Sequence, residues 1–154
     1  MDYLTLKYIH IISSTILFGT GIGSAFFFYV ANRRKIIGEQ YFVARYVVIA
    51  DGLFIAPSVA IQLMTGLALI YFGGYQITDK WVMLGLSLYF FTGVCWLPVV
   101  VLQIKMRNIA KEILENGAEL PQRYWRYNTW WIILGALAFP TIISVFYFMV
   151  FKPV

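Results

Sequence analysis

Long apolar runs alternate with short clusters of charge along this chain. The apolar runs extend from about residue 4 to 31, 42 to 72, 81 to 104 and 129 to 151. Each contains the roughly 20 residues that a helix needs to cross about 30 Å of hydrocarbon. Backbone groups find no water inside a bilayer, so each run is predicted as a helix. The polar-in alternation of a β-barrel strand is missing. The pattern therefore predicts an all-α protein: a transmembrane four-helix bundle forming a single integral membrane domain over residues 1–154. The first run is read as retained rather than as a signal peptide. It is too long, Asp2 spoils a basic leader, and Gly23-Ser24-Ala25 leads directly into Phe26-Phe27-Phe28.

The few polar residues inside the runs are not scattered. At 100° per residue, His10, Ser13, Ser14, Thr20, Gly21 and Ser24 share one arc of the first helix. Asp51, Ser58, Gln62 and Thr65 share a face of the second, and Gly85, Tyr89, Thr92, Trp96 and Gln103 a face of the third. The fourth offers Thr141 and Ser144. These faces are predicted to point into the bundle. At 1.5 Å per residue, His10, Gln62, Thr65, Tyr89 and Ser144 fall at similar depth, about 10 Å from mid-membrane. Asp51 lies about 16 Å deeper than Gln62. Two polar layers are expected, one around His10 and one around Asp51. Gly19 and Gly23 form a GxxxG on another side, a pattern that brings helices or protomers together.

Charge sets the expected orientation. Arg33, Arg34, Lys35 and Arg45 flank the first loop, and Lys105, Arg107, Lys111, Arg123 and Arg126 flank the third. Only Lys7, Lys80 and Lys152 lie at the other end. The positive-inside bias predicts two long cytoplasmic loops and an N-out, C-out chain in the bacterial inner membrane. Residues 109–115 are expected to continue helix three, with Asn116-Gly117 as its C-cap and Pro121 at the first position of helix four. Trp125, Trp130 and Trp131 read as an interfacial belt. Pro57, Pro98 and Pro140 lie within spans and can kink them.

Composition agrees: 61% hydrophobic and only 12% charged residues exclude an ordinary soluble domain. The net charge of +5 reports topology rather than nucleic-acid binding. The single Cys95 can form no internal disulfide and reads as a small core residue. The expected partners are the lipid bilayer and either further copies of the chain or a membrane partner.

The sharpest chemical candidate is His10, the one histidine. An ionisable side chain in a bilayer is expensive and marks function by default. Neutral imidazole is a good axial ligand for haem iron. Two other readings stay open: a neutral His that clamps helices through Ser14 or Gln62, and a proton relay. With one His, two-histidine ligation within a chain is impossible. Met64 points away from the Gln62 face unless Pro57 rotates the helix. Asp51 reads as a carboxylate paired with Arg45 or water, or as a group that transfers protons. No phosphate-binding loop, HExxH or Cys-His zinc cluster is present. The first span lacks the acidic residue on which small four-helix multidrug exporters depend.

The stretches Lys7-Tyr8-Ile9-His10-Ile11-Ile12-Ser13, Ala50-Asp51-Gly52-Leu53-Phe54, Cys95-Trp96-Leu97-Pro98, Gln103-Ile104-Lys105-Met106-Arg107 and Pro121-Gln122-Arg123-Tyr124-Trp125 resemble the DUF2269 family of bacterial integral membrane proteins. The resemblance covers nearly the whole chain and implies an inner-membrane four-helix protein. The Lys-x-x-His entry to helix one is more distantly similar to HemJ-type protoporphyrinogen oxidases and CopD-like proteins. In the HemJ group that His is implicated in binding haem b, which carries over to His10. That group also has a Lys shortly after a Trp in helix three. Here Trp81 is followed by Val82, Met83, Leu84 and Gly85, so the oxidase activity itself does not carry over.

The leading expectation is a haem-b-binding or redox-associated membrane protein with His10 as axial ligand, tuned by Ser14, Gln62 and Tyr89. Thr65, Ser144 and Asp51 are the remaining intramembrane polar candidates. The alternatives are a non-enzymatic membrane subunit held by its polar layers, and a small proton-coupled transporter using Asp51.

Overall fold

A computed structural model describes residues 2–153. Among these, four helices are long and apolar enough to cross a membrane: α1 (Tyr3–Arg34), α2 (Ile37–Phe72), α3 (Lys80–Asn116) and α4 (Gln122–Phe151). Each outruns its apolar stretch because the charged flanks remain helical beyond the hydrocarbon. The first loop therefore shrinks to residues 35–36, and the third to 117–121, where the Asn116-Gly117 cap and the start near Pro121 are expected. Arg34 pairs with Glu39 across the first at 3.2 Å. Gly117 ends α3 in the left-handed region, φ 69°, and its N–H bonds Ile113 O. Pro121 stands one position earlier than expected, as the residue before α4 rather than its first.

The helices pack as α1 along α2 and α3 along α4, and the first half of α2 joins the pairs by lying on α3. The densest packing is at the basic end, where the loops 35–36 and 117–121 lie. There Phe28, Ala44, Val47, Met106, Ala110, Tyr124 and Trp131 form one buried cluster. The Phe28 ring meets Trp131 edge-on at 5.0 Å. Farther along, α1 and α4 meet through Phe18, whose ring lies 5.9 Å from Phe139 and 5.3 Å from Phe146. At the terminal end, Lys152 Nζ donates to Tyr75 Oη at 2.7 Å and sits over the Trp81 ring. That contact ties the end of α4 to the loop between α2 and α3.

The outer surface is apolar: Leu4, Phe26, Tyr71 and Val150 are between 60 and 80% exposed. Without lipid such a surface would aggregate. Gly19 and Gly23 face open space, so no helix of the same chain uses the GxxxG edge.

α2 is interrupted by a wide turn. Residues Asp51–Ile55 are π-helical, and Ala56 N–H bonds Asp51 O, five residues back. Pro57 follows directly and has no N–H to give, so the ladder must be reset near this point. A π-turn inserts an extra residue and rotates one half of a helix against the other.

Candidate functional site

The first polar layer joins α1 to α2. His10 Nδ1 lies 2.8 Å from Thr65 Oγ1. The Thr65 hydroxyl donates its one hydrogen to Ile61 O at 2.6 Å. While that hydrogen stays on Ile61 O the hydroxyl accepts from His10, and the proton is then on Nδ1. Nε2 is left with its lone pair and makes no hydrogen bond among the described residues. Below the ring, Gln62 Nε2 donates to His10 O and to Ser13 Oγ, both at 2.5 Å. Ser13 Oγ donates in turn to His10 O at 3.1 Å. Gly66 lies beneath the imidazole, where a Cβ would stand 3.5 Å from Cε1. The ring is half-buried, Ser13 and Thr65 are buried.

Three expected members of this layer are not brought to His10. Ser14 Oγ bonds Ile11 O at 2.7 Å, and Ser144 Oγ bonds Pro140 O at 2.9 Å. Helical serines readily satisfy themselves on a carbonyl three or four residues back, and lipid offers no competing water. Tyr89 Oη donates to Val59 O at 2.7 Å, one turn from Gln62. It serves as a strut from α3 to α2. Met64 is 63% exposed and points to lipid, as its position on the helix predicts.

The second layer joins α2 to α3 and α4. Asp51 is 3% exposed and Gln103 4%. With the Gln103 amide nitrogen turned toward Asp51, it donates to Oδ2 at 2.5 Å, and its oxygen accepts from Trp131 Nε1 at 3.3 Å. The expected pairing of Asp51 with arginine is not formed. Arg45 instead sits over the Tyr46 ring, 5.8 Å from its centroid. Nor does Asp51 bond the same neighbour as Gln62: its partner Gln103 is on α3, whereas Gln62 bonds α1, although the π-helical segment itself packs against α1. Asn should therefore replace Asp51 at a cost within about 1 kcal/mol, since an amide keeps the link to Gln103. Leu would strand the Gln103 amide and cost about 1–3 kcal/mol. Thermal unfolding of the two variants in one detergent distinguishes them; equal losses would show that the hydrogen bond contributes nothing.

A third layer has no counterpart among the expectations. Tyr124 Oη donates to Asn32 Oδ1 at 2.5 Å, and Gln40 Nε2 donates to the same oxygen at 3.2 Å. Asn32 Nδ2 donates to Phe28 O at 3.0 Å. Tyr124 and Gln40 are fully buried. All three residues sit among the charges of the basic end, where a polar residue reads as solvated. Their one sequence signal is that Asn32 and Gln40 bracket a turn.

Among the described residues no group of three His, Cys, Asp or Glu gathers to hold a metal ion. Cys95 is free and buried. A family model described as "Predicted integral membrane protein (DUF2269)" matches residues 4–153. Comparison with curated proteins and with solved structures gave no match. With nearly its full length covered and four membrane-length helices in place, the chain belongs to the DUF2269 family of integral membrane proteins.

Proposed function

We propose that this chain is a haem-b-binding, redox-associated membrane protein with His10 as the axial ligand. One observation carries the reading: His10 Nδ1 lies 2.8 Å from the Thr65 hydroxyl, which itself donates to Ile61 O at 2.6 Å, and the pairing that follows leaves the Nε2 lone pair free. Metal-ligating histidines are fixed in this way by a partner on the other ring nitrogen. The donor set then selects the metal. Protein-bound zinc takes three or four protein ligands, which a lone imidazole cannot supply. Haem iron arrives with four ring nitrogens and needs only one or two more.

The resemblance of the Lys7-x-x-His10 entry to that of HemJ-type proteins supports the same reading. The group would supply one-electron redox chemistry when bound. The chain's own residues do the positioning. Thr65 orients the imidazole, and Gln62 and Ser13 pin the His10 carbonyl so that α1 cannot rotate against α2. Tyr89 is committed to Val59 and Met64 faces outward, so one chain presents neither as a second ligand. Within one chain, His10 alone would hold the group. Porphyrinogen oxidation is not part of the proposal, because no Lys follows Trp81.

The test is colour. Protein purified in mild detergent from haem-supplemented cells should show a Soret band and a sharpened α-band on reduction. A colourless preparation would overturn the proposal and leave the His10 layer as a clamp in a non-enzymatic membrane subunit.

We further place both termini on the outer side of a bacterial inner membrane, since nine of the twelve Lys and Arg gather at the basic end. Alkaline phosphatase fused after Val154 should be active, and a fluorescent protein that matures only in the cytoplasm should be dark there. The reverse pattern would invert the chain.

A further inference from the structure

We propose that the groove between α3 and α4 at the basic end holds a phospholipid with an anionic headgroup. Two adjoining cavities share Lys105. The first, about 550 Å³, is walled by Leu97, Pro98, Val101 and Leu102 of α3 and by Trp130 and Leu134 of α4. Apart from the Lys105 ammonium and the Trp130 indole N–H, its side chains are hydrocarbon. The second, about 300 Å³, continues past Lys105 to Asn108, Glu112, Arg123 and Tyr127. An occupant of both must be apolar along the membrane part and polar at the basic end. That is the chemistry of a lipid, not of a free ion.

Charge decides which lipid. Lys105 and Arg123 supply two cations against the single carboxylate of Glu112. Lys105 Nζ lies 5.5 Å from the centre of the Tyr127 ring, and no carboxylate pairs with it among the described residues. The Arg123–Glu112 pair is long, 3.9 Å, with both side chains about 60% exposed. Pairs of that kind are weak, so a phosphate can displace the carboxylate. Asn108 Oδ1 accepts two bonds from Arg107, which leaves the Nδ2 hydrogens for an incoming oxygen. Basic pockets between membrane helices recognise anionic headgroups by this combination. A choline headgroup would place its ammonium against Lys105 and Arg123.

Native mass spectrometry of the full chain, released from mild detergent, tests the assignment with three probes: phosphatidylglycerol, phosphatidylcholine and inorganic phosphate. Phosphatidylglycerol should be retained at concentrations at least about tenfold lower than phosphatidylcholine, and phosphate alone should neither bind nor compete. The Lys105→Ala/Arg123→Ala variant should lose that preference and hold both lipids equally. Val101→Phe, which fills the groove without touching charge, should weaken both lipids together. Equal retention of the two lipids by the unaltered protein would overturn the proposal. So would a preference that survives loss of both cations, or competition by inorganic phosphate, which would reveal an anion site without a lipid. If the double variant fails to fold, Val101→Phe decides alone: unchanged lipid retention would place the lipid elsewhere.

Discussion

If His10 holds haem b as proposed, replacing it with Ala should abolish the Soret band of the purified protein, and added imidazole should restore it. The expectation follows from the single free lone pair. Met64 is 63% exposed and Cys95 is buried on α3, and neither bonds His10 among the described residues. With the His10 ring gone, the space beside Gly66 can admit a small imidazole, which supplies the missing nitrogen. Thr65→Val separates ligation from orientation. It keeps His10 but removes the acceptor that holds Nδ1–H. Loss of such a partner usually costs about 10–100-fold in affinity. Thr65→Val should therefore retain colour at saturating haem, with weakened binding and a shifted reduction potential. A Soret band that survives His10→Ala would keep haem in the protein and move the ligand elsewhere. A Thr65→Val protein indistinguishable from the unaltered one in affinity and potential would remove the orienting role.

The second large effect concerns the basic-end core. Phe28→Ala should destabilise the protein by about 3 kcal/mol, the lower part of the range for Phe-to-Ala changes in packed interiors. Phe28 is 0% exposed and lies edge-on to Trp131 within the one large buried cluster. In water, part of such a loss reflects transfer of hydrocarbon to solvent. In a membrane, lipid is as apolar as the core, so the loss comes from the cavity and the broken contacts. Trp131 also holds Gln103, so loosening its ring weakens the Asp51 layer as well. Phe26→Ala is the control: that ring is 60% exposed and should cost no more than about 0.5 kcal/mol. Thermal unfolding of both variants in one detergent provides the comparison. Equal effects would mean that the basic end is not where the bundle is held together.

Much of this was legible without coordinates. The four spans, the inward face of α1, and the similar height of His10, Gln62 and Thr65 follow from a 3.6-residue period and a 1.5 Å rise. So does the separation of the His10 and Asp51 layers. That the imidazole meets Thr65 rather than Ser14 or Gln62 does not. Around the first loop α1 and α2 run beyond their apolar stretches, because charge ends a hydropathy run but does not end a helix. The Asn32–Gln40–Tyr124 cluster stayed hidden for a related reason: among nine neighbouring cations, a polar residue gives no sign of whether water or another helix satisfies it.

Residue order by itself determined the solvent, the number of crossings and the depth of each polar group, because hydrophobic runs and helical rise are local properties. Tertiary structure decided which polar groups meet. Residues of α2 that share a face on paper bond different helices: Gln62 and Thr65 meet α1, and Asp51 meets Gln103 on α3. It also decided what His10 faces: its Nδ1 meets a hydroxyl 55 positions away that itself bonds its own helix. Depth follows from counting along one chain, whereas partnership depends on how several helices are phased against one another.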